Sequence, residues 1–174
     1  MSYKVAELSE FWNGQKDLEL LDPNLLACKD RMDLLAQIKE SGANVNFNQG
    51  LDIRFMNEDI ASEIAQIKVK MVHFAWDRYE DKQIVQPKFL EFREKSTIPF
   101  GFLRVYTLVG DRERRVLPED LERIYWLRQN GYDPYVMIYD KDNLPKRHEL
   151  LRLQRWVNNK WIFRSCEKFE DYRP

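Results

Sequence analysis

A chain of 174 residues and 21.1 kDa is one domain's worth, and 44% apolar with 13% aromatic residues is enough to bury a core. The 28 basic and 29 acidic residues leave a formal charge of −1, which gives no global pull towards nucleic acid or an anionic membrane. Two cysteines far apart, Cys28 and Cys166, exclude a disulfide framework, a zinc knuckle and a three-cysteine iron–sulfur site.

In chain order, Val5–Trp12 reads as a helix, with Val5, Leu8 and Trp12 on one side. Leu18–Leu21 is the first expected strand. Asp30 starts a helix with Met32, Leu35 and Ile38 in register and Gly42 just past its end. The second strand is Val45–Asn48. Asn57 caps the next helix, with Glu58 and Asp59 in the first turn and Ile60, Ile64 and Ile67 on one face. The third strand is Val69–Trp76, followed by a helix over about Pro87–Glu94. The fourth strand is Phe102–Val109. Pro118 opens the next helix at the favoured first-turn position; Leu121, Ile124, Tyr125 and Arg128 follow, and Gly131 closes it. Tyr135–Tyr139 is the fifth strand. A last helix runs from about Pro145 to Asn159, with Leu150, Leu153 and Val157 in register and Trp156 docked.

Strands that alternate with helical crossovers of a dozen or more residues predict a parallel sheet. A doubly wound sheet has strands buried on both faces, which read as continuous apolar runs. These strands alternate instead. Val72, Phe74 and Trp76 oppose His73, Ala75 and Asp77; Val45 and Phe47 oppose Asn46 and Asn48; Leu103, Val105 and Val109 oppose Arg104, Tyr106 and Leu108. One apolar face and one polar face suit a partial TIM-like (β/α) barrel of about five parallel strands with helices outside and a polar ligand space inside. An antiparallel sheet also alternates, but the helical crossovers argue against it. Five units are too few to close an eight-fold barrel, and a chain that opens on an outer helix reads as one lacking its first strands. The expectation is one domain, residues 1–174, truncated at its N-terminus. No apolar run is long enough to span a bilayer and the charged N-terminus lacks a signal-peptide core, so no membrane is expected and the cytoplasm is the default compartment.

The densest polar group is Asn48, Gln49, Asp52 and Arg54, at the carboxyl end of a strand, where barrel enzymes keep their ligand groups. Arg54 there can clamp a carboxylate with two parallel hydrogen bonds, or can simply pair with Asp52 in a turn. Asp22 and Asn24 follow the first strand but read as ordinary turn chemistry. His73 and Asp77 share the polar face of the third strand, either as a proton-transfer group and a polar ligand group or with His73 as a satisfied core histidine. His148 is on a distant helix, which leaves no histidine metal site. Arg104 and Tyr106 point inward, and an inward Arg needs a carboxylate, with Glu19 or Asp77 the candidates. Cys28 reads as a small buried hydrophobe. The segment KRHELLRLQRWVNNKWIFR carries six Lys/Arg and offers charge and stacking to RNA, but reads first as the solvated face of an outer helix, so nucleic acid is not an expected partner.

The run LLDPNLLACKDRMDLL, then NVNFNQGLDIRF, VHFAWD, VYTLVG and DPYVMIYD, resembles the C-terminal two-thirds of a radical SAM enzyme of a bacterial and mobile-element subgroup. The resemblance implies a partial (β/α)6 barrel. It also implies that Asn48, Gln49, Asp52 and Arg54 belong to the region that touches the ribose and carboxylate of S-adenosylmethionine, with Asp77 a further cofactor-binding residue. The family's CxxxCxxC motif, which holds a [4Fe–4S] cluster, and its glycine-rich GGE-like segment are both absent. The complete family member carries S-adenosylmethionine and the cluster; this chain alone is expected to carry neither and to be inactive. Self-association or a missing N-terminal half are the expected partners. The other readings are a non-catalytic α/β module for a nucleotide or protein partner, and a nucleic-acid-binding accessory protein, which the neutral charge disfavours.

Overall fold

The computed structural model describes residues 3–22 and 24–173. Pro23, inside the expected Asp22–Asn24 turn, lies outside the described residues. Five strands form one sheet: β1 Asp17–Leu20, β2 Asn44–Leu51, β3 Val69–Ala75, β4 Leu103–Val109 and β5 Asp133–Ile138. Every neighbouring pair is parallel and the order is sequential, β1-β2-β3-β4-β5. The fold is therefore α/β with a single parallel sheet, as in part of a TIM-like barrel.

The helices between and after the strands are α1 Arg31–Ser41, α2 Glu58–Ala65, α3 Lys82–Lys95, α4 Pro118–Gln129, α5 Glu149–Asn158 and α6 Lys160–Ser165. Their local signals behave as chemistry dictates. Gly42 ends α1 at φ 66°, a left-handed conformation that side chains resist. The Asn57 Oδ1 accepts from the Ile60 N–H at 2.9 Å and caps α2. Pro118 opens α4. α3 begins well before the expected Pro87 and holds that proline inside it, because Val85, Phe89 and Phe92 recur on one buried face. The expected helix over Val5–Trp12 is only a 3-10 turn, Leu8–Glu10: Leu8 is buried, but Val5 is 84% exposed, so a longer helix would have no face to bury. The last expected helix is α5, which starts later than Pro145, at Glu149, and a short helix that was not expected, α6, follows it after Asn159, whose side chain caps α6 by accepting from the Ile162 N–H.

The apolar strand positions Val45, Phe47, Val72, Phe74, Trp76, Leu103, Val105, Val109 and Val136 are all at most 2% exposed. They pack in two clusters. The larger joins β1 to β4 with α1, α2 and α3, and the smaller gathers Val109, Val136, Ile124, Leu150, Leu153, Trp156, Val157 and Phe163 around α4, α5 and α6. Helices thus cover one face and leave the other to polar side chains.

Candidate functional site on the uncovered sheet face

Register sets the neighbours on the polar face. Glu19 lies beside Asn46, His73 beside Arg104, Arg104 beside Asp133, and Tyr106 beside Tyr135. The Asn46 amide donates to both Glu19 carboxylate oxygens at 3.0 Å, while its Oδ1 is buried without a partner. His73 is 4% exposed, and its Nδ1–H donates to the Phe47 carbonyl at 2.9 Å. Its ring stacks on Tyr106, with centroids 5.1 Å apart and planes 12° apart. Burial lowers the His73 pKa, the nearby Arg104 cation adds to this, and the bond to Phe47 opposes it only in part. His73 is thus the satisfied core histidine of the two alternatives.

Arg104 does not pair with Glu19 or Asp77, the partners that the sequence suggested. Its guanidinium lies 3.5 Å from Asp133 Oδ2 and sits 5.4 Å from the Tyr135 ring centroid, and its Nε is buried without a partner. Asp133 receives a second cation, the Lys160 ammonium, at 2.6 Å. Burial lowers the Lys160 pKa, and the hydrogen bond to Asp133 opposes that. Asp133 and Lys160 were missed in the sequence. Asp133-Pro134 reads as a turn before a strand, and Lys160, the first residue of α6, reaches the start of β5, where its ammonium also donates to the Pro134 carbonyl at 2.9 Å.

At the carboxyl ends of the strands the expected ligand group divides. Asp52 and Arg54 satisfy each other: Arg54 Nε and Nη2 donate to the two Asp52 oxygens at 2.8 Å each. Burial pushes the Asp52 carboxyl up, but the side-chain and backbone hydrogen bonds from Arg54 together outweigh it and leave the group below its ordinary value. Asn48 and Gln49 make no side-chain hydrogen bond among the described residues, although the Asn48 carbonyl accepts from the Tyr106 hydroxyl at 3.3 Å. Gly50 lies where β2 bulges against β3, and a Cβ there would make only ordinary contact, 3.4 Å from the Ala75 Cβ and the Phe74 carbonyl carbon. Asp77 follows β3. One of its oxygens accepts from the Leu108 N–H at 3.2 Å, and burial pushes its carboxyl above the ordinary value. Beneath it, Arg123 donates to the carbonyls of Trp76, Asp77 and Leu108 and pairs with Asp120 at 2.7 Å, which fixes the ends of β3 and β4.

Asn24 donates its backbone N–H to the Asp22 side chain at 2.8 Å, the expected turn bond. Cys28 is buried at 3% exposure between β1 and α1, whereas Cys166 follows α6. Among the described residues, no group of three or more His, Cys, Asp or Glu is placed to hold a metal ion. A cleft of about 710 Å³ lies between α4 and the C-terminal segment, lined by Tyr125, Arg128, Gln129, Glu167, Lys168 and Glu170. It shares no residue with the strand ends. Among the described residues, no helix is long and apolar enough to cross a membrane. No family model, curated protein or solved structure matches the chain.

Proposed function

We propose that this chain is the C-terminal part of a radical SAM barrel, and that the uncovered face of its sheet is a wall against which S-adenosylmethionine lies. The observation that carries the reading is the sequential parallel sheet with one face left polar, whose strand ends present Asn48, Gln49 and Asp77 with hydrogen-bonding capacity to spare. Ligands of such folds bind at the carboxyl ends of the strands. The runs FNQGLDIR and HFAWD fall at two of those ends.

S-adenosylmethionine fits these residues. Asn48 and Gln49 supply free amide donors and acceptors for ribose hydroxyls, and the second oxygen of Asp77 is free to accept. When bound, the group supplies a sulfonium from which a 5′-deoxyadenosyl radical is made on reduction. The residues here bind and orient it; Asp52 and Arg54 shape the β2 turn rather than clamp a carboxylate. The [4Fe–4S] cluster does not fit. Cys28 and Cys166 are two thiols in separate parts of the fold, and three are needed at one site.

Calorimetric titration of the whole chain with S-adenosylmethionine tests the reading. The resemblance implies that the chain alone carries no cofactor, but the free groups of Asn48, Gln49 and Asp77 predict saturable binding, weakened about tenfold or more by Asn48→Ala or Asp77→Asn, since each removes a polar contact with the ligand. Absence of saturable binding, or binding by both variants as tight as the parent's, overturns it. A second reading, a non-catalytic module for a nucleotide, is favoured by the mutual pairing of Asp52 and Arg54. Tighter binding of ATP than of S-adenosylmethionine would select it.

A further inference from the structure

On the far side of the molecule from the polar sheet face, α5 carries a second feature. Its apolar stripe, Leu150, Leu153, Trp156 and Val157, is fully buried. Its opposite stripe, together with the residues leading into the helix, lines a groove of about 550 Å³ formed by Lys146, Arg147, His148, Leu151, Arg152 and Arg155. Four of these six side chains are cations. None of the four forms an ion pair or a hydrogen bond among the described residues, although thirteen other Lys and Arg side chains in the chain are ion-paired. The nearest carboxylate in sequence, Glu149, is turned away and accepts from the Val116 N–H at 3.2 Å. Arg152 is held in place rather than solvated. Its guanidinium sits 4.3 Å from the Phe169 ring centroid, and its Nε is buried without a partner.

A solvated helix face normally mixes both signs, and its cations find carboxylates. Four cations gathered in a groove without an ion-pair partner make a local positive potential that favours an anion there. We propose that this groove binds the phosphate backbone of a single-stranded nucleic acid. The stripe from His148 to Arg155 extends about 10 Å along the helix, a length over which one stacked strand carries about three phosphates. Three of the four cations are Arg, whose planar fork suits phosphate oxygens. A groove of this volume admits one strand but not the width of a duplex. A bilayer surface is less well matched, because the cations line a concavity and Leu151 is the only apolar lining side chain. The overall charge of −1 points away from nucleic acid, but it averages over the surface and hides this local concentration.

The test is fluorescence anisotropy of the whole chain with a labelled single-stranded oligonucleotide of about 12 nucleotides, read across salt concentration. With three to four phosphates neutralised at about 0.7 each, affinity should fall roughly 20- to 50-fold between about 50 and 200 mM salt. The triple variant K146Q/R147Q/R155Q, at exposed positions that leave the buried stripe intact, should lose most of that salt dependence and at least tenfold in affinity at low salt. The variant K95Q/R112Q/R115Q removes the same charge from exposed, ion-paired sites and should bind within twofold of the parent. An equal loss in both variants would reduce the effect to net charge and overturn the groove. So would binding to vesicles containing phosphatidylserine, or to poly-glutamate, in preference to the oligonucleotide, or no binding at all.

Discussion

The two edges of the sheet are treated in opposite ways. At β5 the outer edge is occupied by side chains of α5 and α6. Asn158 accepts from the Val136 N–H at 2.8 Å and donates to its carbonyl at 3.0 Å, so one amide does the work of a missing strand. Gln154 donates to the same carbonyl, Lys160 donates to the Pro134 carbonyl, and Pro134 has no N–H to offer. At β1 no side chain meets the outer backbone groups among the described residues. Alternate groups of β1 bond to β2, as the Asn44 N–H bond to the Lys16 carbonyl shows, so those of Asp17 and Glu19 face outward. A sheet needs both edges blunted to stay single, and only one is. The difference teaches where a further strand or a second chain can add.

The middle of the sheet sets the scale for both edges. Phe74 is fully buried on β3 and meets Phe89, Phe92 and Tyr132 edge-on. Phe74→Ala should cost about 4 kcal/mol in urea unfolding. Asn158→Leu should cost about 2 kcal/mol, because it leaves the buried Val136 N–H unmade, and it should also make the protein associate through β5. If that variant associates no more than the parent and is as stable, the amide is not what blunts the edge. Asp17→Pro places proline at the first residue of β1, where its missing N–H faces outward, so stability should change by less than about 1 kcal/mol. The parent protein is expected to self-associate at micromolar concentrations in sedimentation runs, and Asp17→Pro should abolish that. A parent that remains monomeric would show that the bare β1 edge has no consequence in solution.

The smallest effect is a pH dependence from the face between the edges. Burial depresses the His73 pKa in the fold, so the unfolded chain binds the proton more readily. Stability should therefore fall as pH drops below the ordinary histidine value of 6.5, and go on falling until the lowered folded value is passed. Asp77, pushed up by burial, acts in the opposite sense above the ordinary carboxylate range, so His73→Gln is the variant that isolates the histidine. Unfolding curves of parent and variant that keep a constant offset from pH 7 to pH 5 would show that His73 is not the source.

Much of this arrangement is legible in the sequence. The period-two alternation in VKMVHFAW and FLRVYTLV fixes which residues face the helices, because a strand has only two faces. The pairing of Asp52 with Arg54 is legible too, since they lie two residues apart in a turn. What is not legible depends on register. Nothing local says that Arg104 meets Asp133, 29 residues later, rather than Glu19, because that choice is made by how β4 and β5 align. The start of β5 hides behind Asp133-Pro134, a dipeptide that elsewhere makes a turn. The amides of Gln154 and Asn158 look like solvent-facing helix residues until the docked strand is seen.

The strictly sequential order of the strands has a consequence for how the chain is built. Each strand's neighbour is the next one made, so every pairing closes a loop of a few tens of residues and none waits for a distant segment. The sheet can assemble in the order of synthesis, each βα unit adding to the last, much as a solenoid grows by stacking. It can also come apart that way, from its ends. Amide protons of β3 should exchange with solvent most slowly, and those of β1 soonest, because β1 has a hydrogen-bonded strand on one side only.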